Sequence, residues 1–319
     1  GITFYEGFKP EHVADKDLVV IANMFGPDNI EAEYVREHNR PQVSMSEAIR
    51  RFFIKDKKSI VICGTHGKTT TTGLMAHVFL CANKQPGFVV GGVAVKTNNG
   101  ITETSFSTGS KTTEYFIIEG DEYDTSYFDK SPKFLHYNPH IAVVTSMEFD
   151  HADIYKDFEE YKKSFVFLAE EMKKDGLLVL NGDSEEVRSL SNYTESNVLY
   201  YGLEKDNDVY PERIEVTDKG QTFNVVYKGK DMGRFSIGLF GSYNLANALS
   251  VIAVAIHESL NITSLAEGLT TFKGMKRRQE IKGVYNTVTI IDDFAHHPTA
   301  VRRSEEHTSE LQSRSAISY

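Results

Sequence analysis

The sequence predicts an α/β fold built on a parallel sheet, with a small antiparallel meander. Short apolar, β-branched runs alternate with segments of helical spacing from Leu18 to His257, the pattern of a sheet covered on both faces. One such run, "KSIVIC" (58–63), passes through a glycine turn straight into a helical segment. Between Tyr210 and Ile237 the apolar period changes to two, with turn signals at "DKG" and "KGKDMG", as in consecutive hairpins. At 319 residues the chain can hold two or more domains with sizeable cores.

In chain order, "DLVVIANMF" reads as a strand at 18–22, followed by helices over "NIEAEYVREHN" and "SMSEAIRRFFI". These make an αβα unit over residues 1–57. "EYFIIEGDEYD" is a strand that ends in Glu119, Asp121, Glu122 and Asp124, and "HIAVVTSMEFDH" is one that ends at Asp150 and His151. "DFEEYKKSFVFLAEEM" is an amphipathic helix: Phe158, Tyr161, Phe165, Leu168 and Met172 share one face at three-to-four spacing. "GLLVLN" is a buried strand, and "GSYNLANALSVIAVAIHESL" is a strong helix.

Composition narrows the class. Apolar content of 40% and charged content of 25% are those of a soluble globular protein. No run is long and apolar enough to span a membrane. The net charge of −10 argues against a general nucleic-acid binder. The two cysteines, Cys63 and Cys81, lack metal-type spacing and read as free core thiols, which fits a reducing cytoplasm.

The glycine turn, "VICGTHGKTTTT" (61–72), carries chemistry. Gly67, Lys68 and Thr69 fit the end of the phosphate-loop pattern G-x-x-x-x-G-K-[ST]. Its first glycine falls on Ile62; Gly64 takes over and gives a tighter G-x-x-G-K-T. Backbone N–H groups converge where a glycine loop enters a helix, and the helix dipole favours negative charge there. Lys68 would meet β- and γ-phosphates and Thr69 would meet Mg²⁺. An ordinary glycine turn is the bland alternative, but Lys-Thr at a helix start has no packing reason.

Ligands of open α/β sheets bind at the carboxyl ends of the strands. The glycine loop, "EGDEYD" and "MEFDH" all sit at such ends. An isolated acidic turn is usually solvated. In this context Glu119, nearest its strand end, becomes the candidate for Mg²⁺, which takes one or two carboxylates plus phosphate oxygens and water. A lone histidine is more often structural; His151 ends a strand on the same edge and is assigned to the metal site.

Six stretches then occur in one order: "GTHGKTTTT", "EGDEYDTSYFDKSPKFLHY", "EFDHADIY", "GSYNLANA", "GMKRRQE" and "DDFAHHPTA". From about Leu18 to Ala300 the chain resembles the Mur ligase family, the ATP-dependent amide-forming enzymes of bacterial cell-wall assembly. The resemblance implies a cytoplasmic ligase with ATP and Mg²⁺ as cofactors. Its partners would be UDP-N-acetylmuramate and a peptide or amino-acid amine, with no nucleic acid and no membrane.

Residue by residue, the loop Gly64, Thr65, His66, Gly67, Lys68, Thr69 and Thr70 would bind nucleotide, with Lys68 on the phosphates. Thr69, Glu119 and His151 would form the metal site. Asn244 and Asn247 match asparagines of the adenine-binding helix. Arg278 matches the arginine near the γ-phosphate, and Asp293 and His296 match nucleotide contacts of the last domain. Lys68, Glu119, His151 and Arg278 would carry the chemistry. Phe165 falls where some relatives have a carbamylated lysine, so no second metal held by carbamate is expected. The long segment from Glu119 to His151 resembles the branch whose amine is the tripeptide L-alanyl-γ-D-glutamyl-meso-diaminopimelate. The branch that takes L-alanine, and a non-catalytic ATP-binding fragment, are the alternatives.

The resemblance divides the chain into a partial UDP-sugar-binding Rossmann-like domain over 1–57, a central ATP-binding domain over 58–274, and the start of a Rossmann-like C-terminal domain over 275–302. The family's opening glycine-rich loop is expected before Gly1, and its last domain is expected to run well past Ala300. Instead, Arg303–Ser313 reads "RSEEHTSELQS", the translation of a common sequencing adapter. Residues 303–319 are therefore expected to be non-native and no part of the fold. A chain so cut is expected to be inactive in ligation.

Overall fold

The computed structural model describes residues 2–96, 101, 104–149, 155–286, 288–295, 299 and 301–302. The first unit contains β1 (Val19–Ile21), α1 (Ile30–Glu37), β2 (Gln42–Ser44) and α2 (Met45–Ile49). The single strand predicted here has a parallel partner, because β2 pairs Val43 with Val20. Asn29 caps α1 by accepting from the N–H groups of Glu31 and Ala32. The second predicted helix is shorter than its pattern: after Ile49 the chain widens into a π turn over Arg50–Ile54.

The central unit follows with β3 (Lys58–Cys63), α3 (Lys68–Cys81), β4 (Gly87–Val89), β5 (Phe106–Ser107) and β6 (Tyr115–Glu119). Next come β7 (Asp124–Ser126), β8 (Asp129–Pro132), α4 (Lys133–His136), β9 (Ile141–Val144), α5 (Phe158–Glu170) and β10 (Leu177–Asn181). The small hairpin β7–β8 has no counterpart in the sequence reading. Then follow α6 (Glu185–Arg188), β11 (Asn197–Tyr201), the meander β12 (Val209–Thr217), β13 (Gly220–Tyr227) and β14 (Lys230–Ile237), and the helices α7 (Ser242–His257) and α8 (Ile262–Thr271).

Ten strands form one sheet in the order β14-β13-β12-β11-β10-β9-β3-β6-β4-β5. Its centre, β11 to β4, is parallel. The meander does not stand apart: Tyr201 pairs with Val209, so it extends the same sheet. The two faces are filled as the strand period requires. Ile60 and Ile62 pack with Leu74, Met75, Phe79 and Ile252 on one side. Val61 and Cys63 pack with Phe134, Phe165 and Leu168 on the other. Each fully buried side chain of this kind contributes about 1.5–3 kcal/mol, so α3 is held by packing despite its four threonines. Burial also pushes the Cys63 thiol far above its usual range, consistent with an inert core thiol.

Strand order places β3 between β6 and β9; the α3 crossover leads from β3 to β4 on one side, and the α5 crossover leads from β9 to β10 on the other. This is a topological switch point, where a crevice opens beyond the carboxyl ends. Register sets what meets there. Ile62 pairs with Glu119, and Cys63 with Val144. The glycine loop, the acids after β6 and residues 145–148 after β9 therefore emerge side by side.

A hairpin follows, β15 (Glu280–Tyr285) and β16 (Val288–Asp292). Residues 274–276 bond to 93–95: Val95 N–H donates to the Gly274 carbonyl at 3.0 Å and Lys276 N–H to that of Val93 at 2.8 Å. Among the described residues, no helix is long and apolar enough to cross a membrane.

Candidate nucleotide site

The loop between β3 and α3 is held open by two glycines in left-handed conformations, Gly64 at φ 119° and Gly67 at φ 82°. A side chain on Gly64 would strike Thr145 and come within 2.7 Å of the Ser146 carbonyl. One on Gly67 would come within 2.7 Å of Asn247 Oδ1. These close approaches and positive φ angles call for glycine at both positions.

The strand beside it anchors the loop. Thr65 N–H donates to the Ser146 carbonyl at 3.0 Å, and His66 N–H to Ser146 Oγ at 2.9 Å. Thr65 Oγ1 donates to the Glu148 carbonyl at 2.9 Å, accepts from Glu148 N–H at 2.8 Å and shares a 2.8 Å hydrogen bond with Tyr161 OH. Thr145 Oγ1 donates to the His66 carbonyl at 2.5 Å. Asn181 Nδ2 in turn holds the Thr145 carbonyl at 2.9 Å.

Lys68 opens α3 and turns back over the loop. Its Nζ donates to the Gly64 carbonyl at 2.6 Å and to Glu122 Oε2 at 3.0 Å. Burial would pull this amine down, but Glu122 foremost, then Asp121, more than reverse the effect and hold it raised. Next to it, Thr69 Oγ1 donates to Glu119 Oε1 at 3.0 Å, and Gly91 N–H to Glu119 Oε2 at 2.9 Å. Burial, then the charge of Asp121, raises the Glu119 carboxyl, against the pull of Gly91, Lys68 and Thr69.

From the far side, Arg278 Nη2 reaches Thr69 Oγ1 at 3.5 Å, with its guanidinium 5.2 Å from the Phe294 ring. Thus Arg278 is supported on two sides, by Thr69 and by Phe294. Asn244 and Asn247 lie on the first turns of α7. Asn244 Nδ2 donates to the Phe240 carbonyl at 2.7 Å, and Asn247 Nδ2 to Asn244 Oδ1 at 3.4 Å.

These groups surround one cavity of about 940 Å³, walled by 65–70, Glu119, Asn244, Asn247, Arg278 and Asp293. Gly64 is not among its walls; its part is to shape the loop. His151 and His296 lie outside the described residues, as do 303–319. Phe165 is fully buried, with its ring edge-on to Tyr161 and tilted against Phe134. Glu122, Ser146 and Asn181 were passed over in the sequence. Glu122 follows Glu119 by three residues in "EGDEYD", a spacing that gives no sign of its burial.

Among the described residues, no three His, Cys, Asp or Glu form a group that could hold a metal. A Mg²⁺ ion bound through phosphate oxygens does not need one. The Thr69 hydroxyl and the Glu119 carboxylate, paired 3.0 Å apart on the cavity wall, are hard oxygen donors of the kind it takes.

The Mur ligase middle-domain family matches residues 62–255, which span this loop, the acids and α7. The chain belongs to the Mur ligase family. The UDP-N-acetylmuramate–L-alanyl-γ-D-glutamyl-meso-2,6-diaminoheptandioate ligase of Haemophilus influenzae is 36% identical over 286 residues, covering 89% of this chain and 61% of that protein. A UDP-N-acetylmuramate–L-alanine ligase of Dictyoglomus turgidum is 34% identical over 314 residues, covering 96% of this chain and 63% of its own. Among solved structures, the tripeptide-type ligase from Neisseria meningitides superposes with a TM-score of 0.75 at 32% identity, covering 86% of this chain and 84% of the other. The chain thus spans about three fifths of the length of these two curated Mur ligases.

Proposed function

We propose that this chain carries the ATP site of a carboxylate–amine ligase that joins UDP-N-acetylmuramate to an amine through an acyl phosphate. The observation that carries the reading is the convergence of Lys68, the Thr69–Glu119 pair and Arg278 on one cavity that Asn244 and Asn247 also line. A carboxylate is a poor acyl donor, so phosphorylation supplies the leaving group. The lactyl carboxylate oxygen attacks the γ-phosphorus, and ADP departs. The amine then attacks the acyl carbon, passes through a tetrahedral adduct and expels phosphate.

Lys68 and Arg278 would neutralise charge on the transferring group from opposite sides, which is most of what such a transfer asks of a protein. Thr69 and Glu119, with His151 as a third proposed ligand, would hold a Mg²⁺ ion, which would supply positive charge beside the phosphates. Asn244 and Asn247 would meet the adenine end. Asp293 and His296 would add nucleotide contacts, the latter from outside the described residues. The domain division at 57, 274 and 302 is part of the same reading.

We infer the tripeptide as the amine. Support comes from the Haemophilus relative, from the Neisseria structure and from the long segment between Glu119 and His151. L-alanine is the second reading, favoured by the relative that covers 96% of the chain. Titration of the chain with Mg²⁺–ATP in a calorimeter tests the site: saturable binding that Lys68→Ala weakens supports it, and no binding refutes it. Competition between tripeptide and L-alanine, in a chain of the relatives' length, tests the amine; preferential use of L-alanine overturns the first choice.

A further inference from the structure

Glu122 is fully buried behind the phosphate loop. Its Oε2 accepts from Lys68 Nζ at 3.0 Å, and Oε1 stands 3.4 Å from the same nitrogen. Oε1 also accepts from Tyr161 OH at 3.4 Å, and the Glu122 carbonyl accepts from Tyr155 OH. Tyr161 is bonded in turn to Thr65 within the loop. The acid is therefore locked in place from both its side chain and its backbone. Lys68 is different. It is a flexible four-carbon stem on the cavity wall, and its ammonium is the group the phosphates would claim.

A carboxylate with no solvent needs a positive partner, and Lys68 supplies it. A triphosphate entering the cavity needs that same ammonium. Two anions then compete for one cation, one of them built into the protein. We propose that Glu122 is an internal competitor for the phosphates: it holds Lys68 in the nucleotide-free chain, and β- and γ-phosphate oxygens bind by exchange with it. This rests on the ATP reading above. Its consequence is specificity by phosphate count. A nucleotide without β- and γ-phosphates gains nothing from the exchange and loses nothing to it. After transfer, ADP offers fewer oxygens, so recapture of Lys68 by Glu122 favours product release.

The test is calorimetry on the 319-residue chain with Mg²⁺–ATP and with AMP, for the wild type and Glu122→Gln. The amide keeps the shape and removes the charge. The affinity for ATP should rise about tenfold, the size of one charge-assisted hydrogen bond no longer surrendered, while that for AMP stays within about twofold. The nucleotide-free variant should melt at a lower temperature, because Lys68 has lost its charged partner. Damage to the fold would weaken both nucleotides together. An ATP affinity that is unchanged or lower, with AMP binding intact, overturns the proposal. If the amide variant does not fold, Glu122→Asp withdraws the charge by one methylene. It should strengthen ATP binding by a smaller factor, and no gain overturns the exchange. Failure of the wild type to bind Mg²⁺–ATP at all identifies the nucleotide reading as the error.

Discussion

The Thr69 hydroxyl donates to the Glu119 carboxylate across 3.0 Å, joining the first turn of α3 to the end of β6. Neither strand order nor helix packing alone makes this pair. It depends on Ile62 standing opposite Glu119 in register, which brings the end of β6 level with the loop. Glu119→Gln keeps an acceptor for Thr69 but removes the charge that would meet Mg²⁺. Its affinity for ATP in the presence of Mg²⁺ should fall about tenfold or more, and its affinity for AMP without metal should stay near the wild-type value. Equal losses for both would show that Glu119 serves the fold and not the metal.

Gly67 is the second test of the loop. At φ 82°, with Asn247 Oδ1 2.7 Å from a substituent's position, it has no room for a side chain. Gly67→Ala should destabilise the chain by about 1–3 kcal/mol and weaken ATP binding as well. Urea denaturation reads the first effect and calorimetry the second. A variant as stable as the wild type would mean that the loop adapts.

Much of this was legible in the sequence, because period and punctuation are local. The run Lys58–Cys63, the glycine turn and the helix behind it form as the pattern demands. The meander also appears where the period changes to two. Helix α8 was missed, although Asn261 caps it through the N–H groups of Thr263 and Ser264. Pairings across the chain were not legible. Glu122 reads as one more surface acid until β6 and α5 enclose it and Lys68 turns toward it. Arg278 gains its hold from Phe294 and Thr69, the latter 209 residues away in sequence. Side-chain partners of this kind depend on tertiary geometry that no spacing encodes.

His77 predicts a pH dependence. It lies fully buried on α3; its Nε2 is 2.8 Å from Thr271 Oγ1, and its Nδ1 accepts from Ile101 N–H at 3.1 Å. Burial drives its pKa from 6.5 down to about 4. The unfolded chain therefore binds a proton that the folded chain refuses between those values. Stability from this group is intact above pH 6.5, is lost as pH falls, and stops changing below about 4. The loss is at most about 3 kcal/mol. Urea midpoints at pH 7.5, 6 and 5 should fall in the wild type and fall less in His77→Gln. Parallel curves for the two proteins would assign the acid sensitivity elsewhere.

Arg278 gives the sharpest test of which end of the nucleotide lies where. Its Nη2 is 3.5 Å from the Thr69 hydroxyl, so it stands at the end of the cavity where Lys68 and Glu119 also converge. Asn244 and Asn247 lie on α7, on a different element of the cavity wall. If the γ-phosphate occupies the Arg278 end, that guanidinium meets ATP and has little to grip on ADP. Arg278→Ala should then weaken ATP binding about tenfold, as expected for a lost charge-assisted contact, and ADP binding only about twofold. Phe294→Leu removes the ring beneath the guanidinium and leaves its charge, so its effect should be smaller and again confined to ATP. Calorimetric titrations of the three proteins with both nucleotides give the comparison directly. Equal weakening of ATP and ADP by Arg278→Ala would place the arginine away from the γ-phosphate and reverse the proposed orientation.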